Sequence, residues 1–249
     1  MMALLRANNI GKSFRQPDGQ SFRVIDRIDL EIAPREVVCL LGASGSGKTS
    51  FLRILAGLDV DHGGEIAADM TRPGSKLGYL AQSDRLLPWR DAAANAALGL
   101  ELLGKNKTEA RDKARAALRQ VGIEEFAGHY PTQLSGGMCQ RVLLARTFAY
   151  QPRLLLFDEP MSNLDVLARR ELSALVKNYV RVNDAGAVVI THSVEEACFL
   201  ADRILLVTRA PARVFKEIRI SDKGGAGLAR DDAMDTVMHN LWQALGAAA

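Results

Sequence analysis

Short, wholly apolar runs alternate along this chain with longer stretches in which apolar residues recur every three or four positions. Val37-Val38-Cys39-Leu40-Leu41 is the clearest run, and residues 36–41 read as a strand buried on both faces. Residues 153–157, 187–190 and 203–207 read the same way, the first two bounded by Pro, Gly or polar residues. Residues 49–56 carry a helix, with Gly57 as its stop. Buried strands separated by helices predict an α/β fold with a largely parallel sheet. From about 98 to 121 the pattern changes to a run rich in Ala, Leu, Lys and Arg, with Ala110, Ala114, Ala117, Leu118 and Val121 on one helical face. This predicts a helical insert. Met234, Val237, Met238, Leu241, Trp242 and Leu245 predict an amphipathic helix over 231–245 that packs on the body, since its polar face is not basic.

Composition narrows the class. The chain has 249 residues, 48% apolar and 24% charged, which excludes a disordered or fibrous protein. No apolar run approaches the roughly 20 residues of a membrane span, and the N-terminus lacks the pattern of a secretory signal. Cys39, Cys139 and Cys198 are odd in number and far apart, which fits a reduced cytoplasmic setting. The net charge of +3 is mild. Lys105, Lys107, Arg111, Lys113, Arg115 and Arg119 are interrupted by Glu109 and Asp112 and carry no interleaved aromatics, so they read as a solvated face rather than a nucleic-acid patch.

Chemistry enters with Gly42-Ala43-Ser44-Gly45-Ser46-Gly47-Lys48-Thr49, a full match to G-x-x-x-x-G-K-S/T placed between a buried strand and a helix. Glycines let backbone N–H groups converge on an anion, and the helix that follows adds its positive end. Lys48 reaches the β- and γ-phosphates, and the Thr49 hydroxyl is a ligand for Mg²⁺. A second buried run ends in Asp158-Glu159-Pro160, with both carboxylates at the edge where open α/β sheets bind ligands. Asp158 is placed for Mg²⁺, and Glu159 to deprotonate a water. Between the two lies Leu134-Ser135-Gly136-Gly137-Met138, a capped helix start whose glycines leave N–H groups open to a second anion.

Together these residues resemble the ATP-binding subunits of ABC transporters over nearly the whole chain. Gly42 to Thr49, with Ser50 behind it, resembles Walker A; Gln82 the Q-loop glutamine; Leu134 to Met138 the LSGGQ signature; Leu154 to Glu159 Walker B; Ser162-Asn163-Leu164-Asp165 the D-loop; His192 the H-loop histidine; and Phe14 the aromatic that stacks on adenine. The resemblance implies a P-loop NTPase cassette in one domain over 1–249. A RecA-like core (about 1–83 and 151–220) with an N-terminal antiparallel β part would carry a helical subdomain (about 84–150) and the tail helix. It implies ATP and Mg²⁺ as cofactors, Glu159 as general base, His192 on the γ-phosphate, Gln82 on Mg²⁺, and Ser135, Gly136, Gly137 and Asp165 at the nucleotide of an opposing protomer. The implied partners are a head-to-tail homodimer, integral membrane permease subunits and a solute-binding protein, at the cytoplasmic face of a bacterial-type cell membrane, with no nucleic acid.

Gln82-Ser83-Asp84-Arg85-Leu86-Leu87-Pro88-Trp89 and the run from Thr191 to Ala197 are similar to the branch that imports nitrate, sulfonates and taurine. Arg35 stands where that branch has Gly, Met161 for Phe, Asn163 for Ala and Ser193 for Asp; residues 91–97 are unusually rich in Ala. Two other readings share the motor residues: an exporter subunit, and a soluble ABC-type ATPase uncoupled from transport. Against the latter, the 53 positions from Gln82 to Ser135 leave no room for a coiled-coil insertion, and only one set of motifs is present.

Overall fold

The computed structural model describes residues 3–220 apart from 16, 18, 69–75 and 163. Asn163 and the helix expected over 231–245 lie outside the described residues. The described strands form one nine-stranded sheet in the order β4-β1-β2-β9-β8-β3-β7-β6-β5. Its parallel half is β3 (Val37–Leu41), β5 (Leu77–Leu80), β6 (Leu154–Asp158), β7 (Gly186–Thr191) and β8 (Arg203–Val207). Its other half pairs β1 (Leu5–Arg15) antiparallel with β2 (Ser21–Ile32) and β4 (Gly63–Ala68). β9 (Ala212–Arg219) joins the halves, antiparallel to β8 and parallel to β2.

The continuous apolar runs are explained by helices on both faces of the parallel half. β3, β6 and β7 are buried at every position. Their side chains alternate between two cores. Val38, Leu40, Leu154, Leu156, Val188 and Ile190 meet Phe51, Leu52, Ile54 and Leu55 of α1 (Lys48–Leu55) and the antiparallel strands. On the opposite face Cys39, Leu41, Leu155, Phe157, Ala187 and Val189 meet α4 (Gly136–Phe148), α5 (Val166–Val182) and α6 (Val194–Leu200). Each large apolar side chain buried this way contributes about 2 kcal/mol.

The helical run expected over 98–121 is two helices, α2 (Ala92–Leu102) and α3 (Lys107–Gln120). Gly104, at φ 77°, breaks the run, and Asn106 caps α3 by accepting from Glu109 N at 2.8 Å. The first helix also begins earlier than its charge pattern announces, capped by Asp91. Its alanines are explained by packing: Ala92, Ala93, Ala96 and Ala97 are all buried. Several basic residues of this region pair with acids, Arg111 with Asp91 at 3.1 Å, Lys113 with Glu109 at 2.9 Å and Arg119 with Glu124 at 2.6 Å.

Asn95, wholly buried on α2, holds the segment that leads in from β5. Its Oδ1 accepts from Leu87 N and from the Arg146 guanidinium of α4, both at 2.8 Å, and its Nδ2 donates to the carbonyls of Leu87, Arg90 and Asp91. Trp89, on this segment, is 72% exposed.

Arg35 occupies the left-handed region at φ 65° while its N–H bonds Ala185 O at 2.6 Å. The turn into β3 needs that conformation, and only glycine adopts it without a Cβ clash. Its ion pair with Asp184, 3.9 Å between two exposed side chains, offsets little. Arg35→Gly is expected to stabilise the fold by about 1 kcal/mol, a rise of about 2–4 °C in Tm. A Tm that falls in calorimetry would contradict a strained Arg35.

Candidate active site

Neighbouring parallel strands end within one residue of each other. Leu41 pairs with Thr191, Ile190 with Asp158, and Phe157 with Leu80. The next residues of β3, β7, β6 and β5 therefore leave the sheet side by side, and they are the glycine loop, His192, Glu159 and the Ala81-Gln82 turn. One edge of the sheet collects them from four distant stretches of sequence.

The loop after β3 is shaped by its glycines. A Cβ on Gly42 would lie 2.8 Å from Val207 O. Gly47 sits at φ 94° and its Cβ would press on Val24. Gly47 is also the N-cap of α1, and no side-chain cap bond closes that end, which leaves the first N–H groups and the positive end of the helix for an anion. Ala43, Ser44 and Gly45 are exposed, Ser46 is buried, and Ser50 is half-buried on the first turn of α1. Lys48 is buried and folds back on the loop, donating to Gly42 O at 2.7 Å, Ala43 O at 2.8 Å and Ser46 Oγ at 3.3 Å. Burial lowers its pKa, while Glu159 and Asp158 oppose that shift.

Thr49 Oγ1 donates to Asp158 Oδ1 at 3.4 Å. Asp158 is 2% exposed, and burial raises its carboxyl above the usual range despite the Thr49 bond and the nearby Lys48. A hydroxyl and a buried carboxylate beside an open phosphate-type loop fit a hard divalent cation, whose charge would offset that burial.

Glu159 lies at φ 47°, a left-handed conformation rare for a non-glycine residue, with its N–H on Ile190 O at 2.9 Å. Gln82 Nε2 donates to Glu159 Oε2 at 3.0 Å, and His192 Nδ1 lies 3.0 Å from Glu159 Oε1. The strained backbone thus aims one carboxylate between two polar side chains from neighbouring strand ends.

Lys48, Thr49, Asp158, Glu159, Gln82 and His192 are brought together. Phe14 stands apart on the antiparallel half, 43% exposed and opposite Phe22 in the ladder, with Lys12 Nζ 4.9 Å from its ring centre. Ser135, Gly136 and Gly137 begin α4, and no described contact joins them to that cluster. Ser135 caps α4 by accepting from Met138 N at 3.2 Å, and the space where Cβ atoms would stand on Gly136 and Gly137 is open. Asp165 caps α5 by accepting from Ala168 N at 2.9 Å.

Thr191 and Glu196 lie in the run from Thr191 to Ala197, and the sequence pattern assigns neither of them a role. Thr191 Oγ1 donates to Glu196 Oε2 at 2.6 Å. Glu196 is 2% exposed, and burial pushes its carboxyl up to about 7, against the Thr191 bond and the Arg169 guanidinium. A carboxylate that follows His192 by four residues on a short helix looks exposed in sequence; only the packing of α6 shows it buried.

A glycine loop at the end of a central strand, an acidic strand end beside it and a separate capped glycine helix start define an ATP-binding cassette. The chain belongs to the ABC transporter family, whose profile matches residues 25–162, and it is an ATP-hydrolysing member of that family. It is 40% identical over 222 residues to the taurine import ATP-binding protein TauB of Pseudomonas entomophila strain L48, covering 88% of this chain and 85% of that protein. It is 42% identical over 197 residues to the aliphatic sulfonates import ATP-binding protein SsuB 1 of Xanthomonas axonopodis pv. citri strain 306, covering 77% and 78%. The fold superposes on a bacterial ABC transporter cassette solved as a dimer, with TM-score 0.75 and 28% identity, covering 87% of this chain and 99% of that one. A second solved structure, the dimeric post-hydrolysis state of a cassette bound to ADP and Pi, matches equally well.

Because the folded protein holds the Glu196 proton more tightly than the unfolded chain, this group's contribution to stability is full below about pH 4.5 and is lost as the pH rises through 7. Glu196→Gln is expected to raise Tm more at pH 8 than at pH 5. Equal shifts at both pH values, read by calorimetry, would show that the carboxyl is not held up by burial.

Proposed function

We propose that this chain drives the import of taurine, another sulfonate, nitrate or a similar small solute through separate integral membrane permease subunits. It would work at the cytoplasmic face of the membrane as a head-to-tail homodimer, with a solute-binding protein delivering the cargo. Among the described residues no helix is long and apolar enough to cross a membrane. The likeness to taurine and aliphatic sulfonate import subunits supports the substrate class.

The observation that carries the catalytic reading is the Glu159 carboxylate held between Gln82 and His192 beside the glycine loop. Phe14 offers an exposed ring to adenine. The N–H groups from Gly42 to Thr49, with Ser50, receive the phosphates, and Lys48 exchanges the Gly42 and Ala43 carbonyls for β- and γ-phosphate oxygens. Thr49, Asp158 and Gln82 would hold Mg²⁺, which when bound neutralises charge on those oxygens. Glu159 takes a proton from the attacking water, and His192 steadies the γ-phosphate. Ser135, Gly136 and Gly137 project a bare helix N-terminus that suits the phosphates of ATP held by the opposing protomer, with Asp165 close to the join. The segment from Gln82 to Trp89 presents the exposed indole to the permease.

Glu159→Gln is expected to bind Mg·ATP with unchanged affinity and to hydrolyse it at least about a hundredfold more slowly. Near-normal turnover would remove Glu159 from the role of base. For coupling, a pull-down from detergent-solubilised membranes is expected to recover an integral membrane protein that is lost on Trp89→Ala. Recovery of this chain alone would sink the transport role and leave the ATPase standing.

A further inference from the structure

His192 is held by a turn that closes on both sides of it. Thr191, the last residue of β7, accepts at Oγ1 from Ser193 N at 3.0 Å and donates from the same hydroxyl to Glu196 Oε2 at 2.6 Å. Ser193 Oγ accepts from Glu196 N at 3.2 Å, capping α6. The backbone of His192 thus lies inside a closed ring of bonds from 191 to 196. Its side chain stays 53% exposed and reaches Glu159 at 3.0 Å.

Glu196 anchors that ring from the core. Cys39 of β3, Arg169 of α5, Glu159 and His192 are the titratable or charged groups that act on it. Only one of its oxygens is used. Among the described residues the buried side-chain polar atoms without a hydrogen-bond partner are Glu196 Oε1 and Arg169 Nε, so the two act on each other through charge alone. A buried carboxyl with one idle oxygen costs stability, and a glutamine would satisfy Thr191 at lower cost. A costly group kept beside an active site points to function rather than to packing.

We propose that Glu196 is a positioning residue for His192: through the Thr191 hydroxyl it fixes the 191–193 turn and so aims the imidazole at Glu159 and the γ-phosphate. It touches no reacting atom. It acts only through His192, and its effect is on turnover rather than on nucleotide binding.

Kinetics of Mg·ATP hydrolysis, read as single turnovers for the slow variants, test this. Glu196→Ala is expected to lower kcat about tenfold with KM within about twofold, since small misplacements of a catalytic group cost this much or more. Thr191→Val, which removes the linking hydroxyl without opening a cavity, is expected to match it and serves if Glu196→Ala folds poorly. Glu196→Gln keeps an oxygen for Thr191 and is expected to retain kcat within about threefold. In a His192→Ala background, Glu196→Ala and Thr191→Val are expected to add nothing. Unchanged kcat in both single variants, or a further tenfold loss in the His192→Ala background, would overturn the assignment.

Discussion

The chemistry of this protein depends on the register of four parallel strands. β3, β7, β6 and β5 each end within one residue of the strand beside them, so the groups that follow them share one edge of the sheet. A slip of one residue would turn every side chain of a strand to the opposite face. Here both faces are buried, and they bury different partners: α1 and the antiparallel strands on one side, α4 to α6 on the other. The packing of two unlike cores thus holds Glu159 at 3.0 Å from both Gln82 and His192. Stability and catalytic geometry are one property of this sheet.

Beyond that edge, the nucleotide-facing surface is built from parts at different distances from the core. The glycine loop and Asp158 are rooted in it. The glycine start of α4 stands away from the cluster, open where side chains would be. The far end of α4 carries Arg146, which binds Asn95 Oδ1 at 2.8 Å and also Arg85 O at 3.2 Å. The segment bearing Trp89 and the helix that begins at Gly136 are therefore tied both directly and through one buried asparagine.

Motifs made of neighbouring residues were legible in the sequence. The loop from Gly42 to Thr49 and the Asp158-Glu159 pair work through local backbone, so their spacing reveals them. The buried strands were legible because a parallel sheet leaves no polar face. Features that depend on distant partners were not. The chain's departure from Gly at residue 35 was visible, but the φ of 65° behind it was not. The break between α2 and α3 rests on one glycine inside a run that otherwise favours helix. Asn95 and Glu196 are polar residues on helices, where exposure is the ordinary expectation. Their burial follows from how α2 and α6 pack.

In the proposed function one chain supplies only part of each ATP site, and a second copy completes it. Sedimentation of the Glu159→Gln protein with and without Mg·ATP tests this most directly. A monomer is expected without nucleotide, and with it a dimer holding two ATP molecules that dissolves when Ser135 is replaced by a bulky residue. Full ATP binding by a protein that stays monomeric would contradict it.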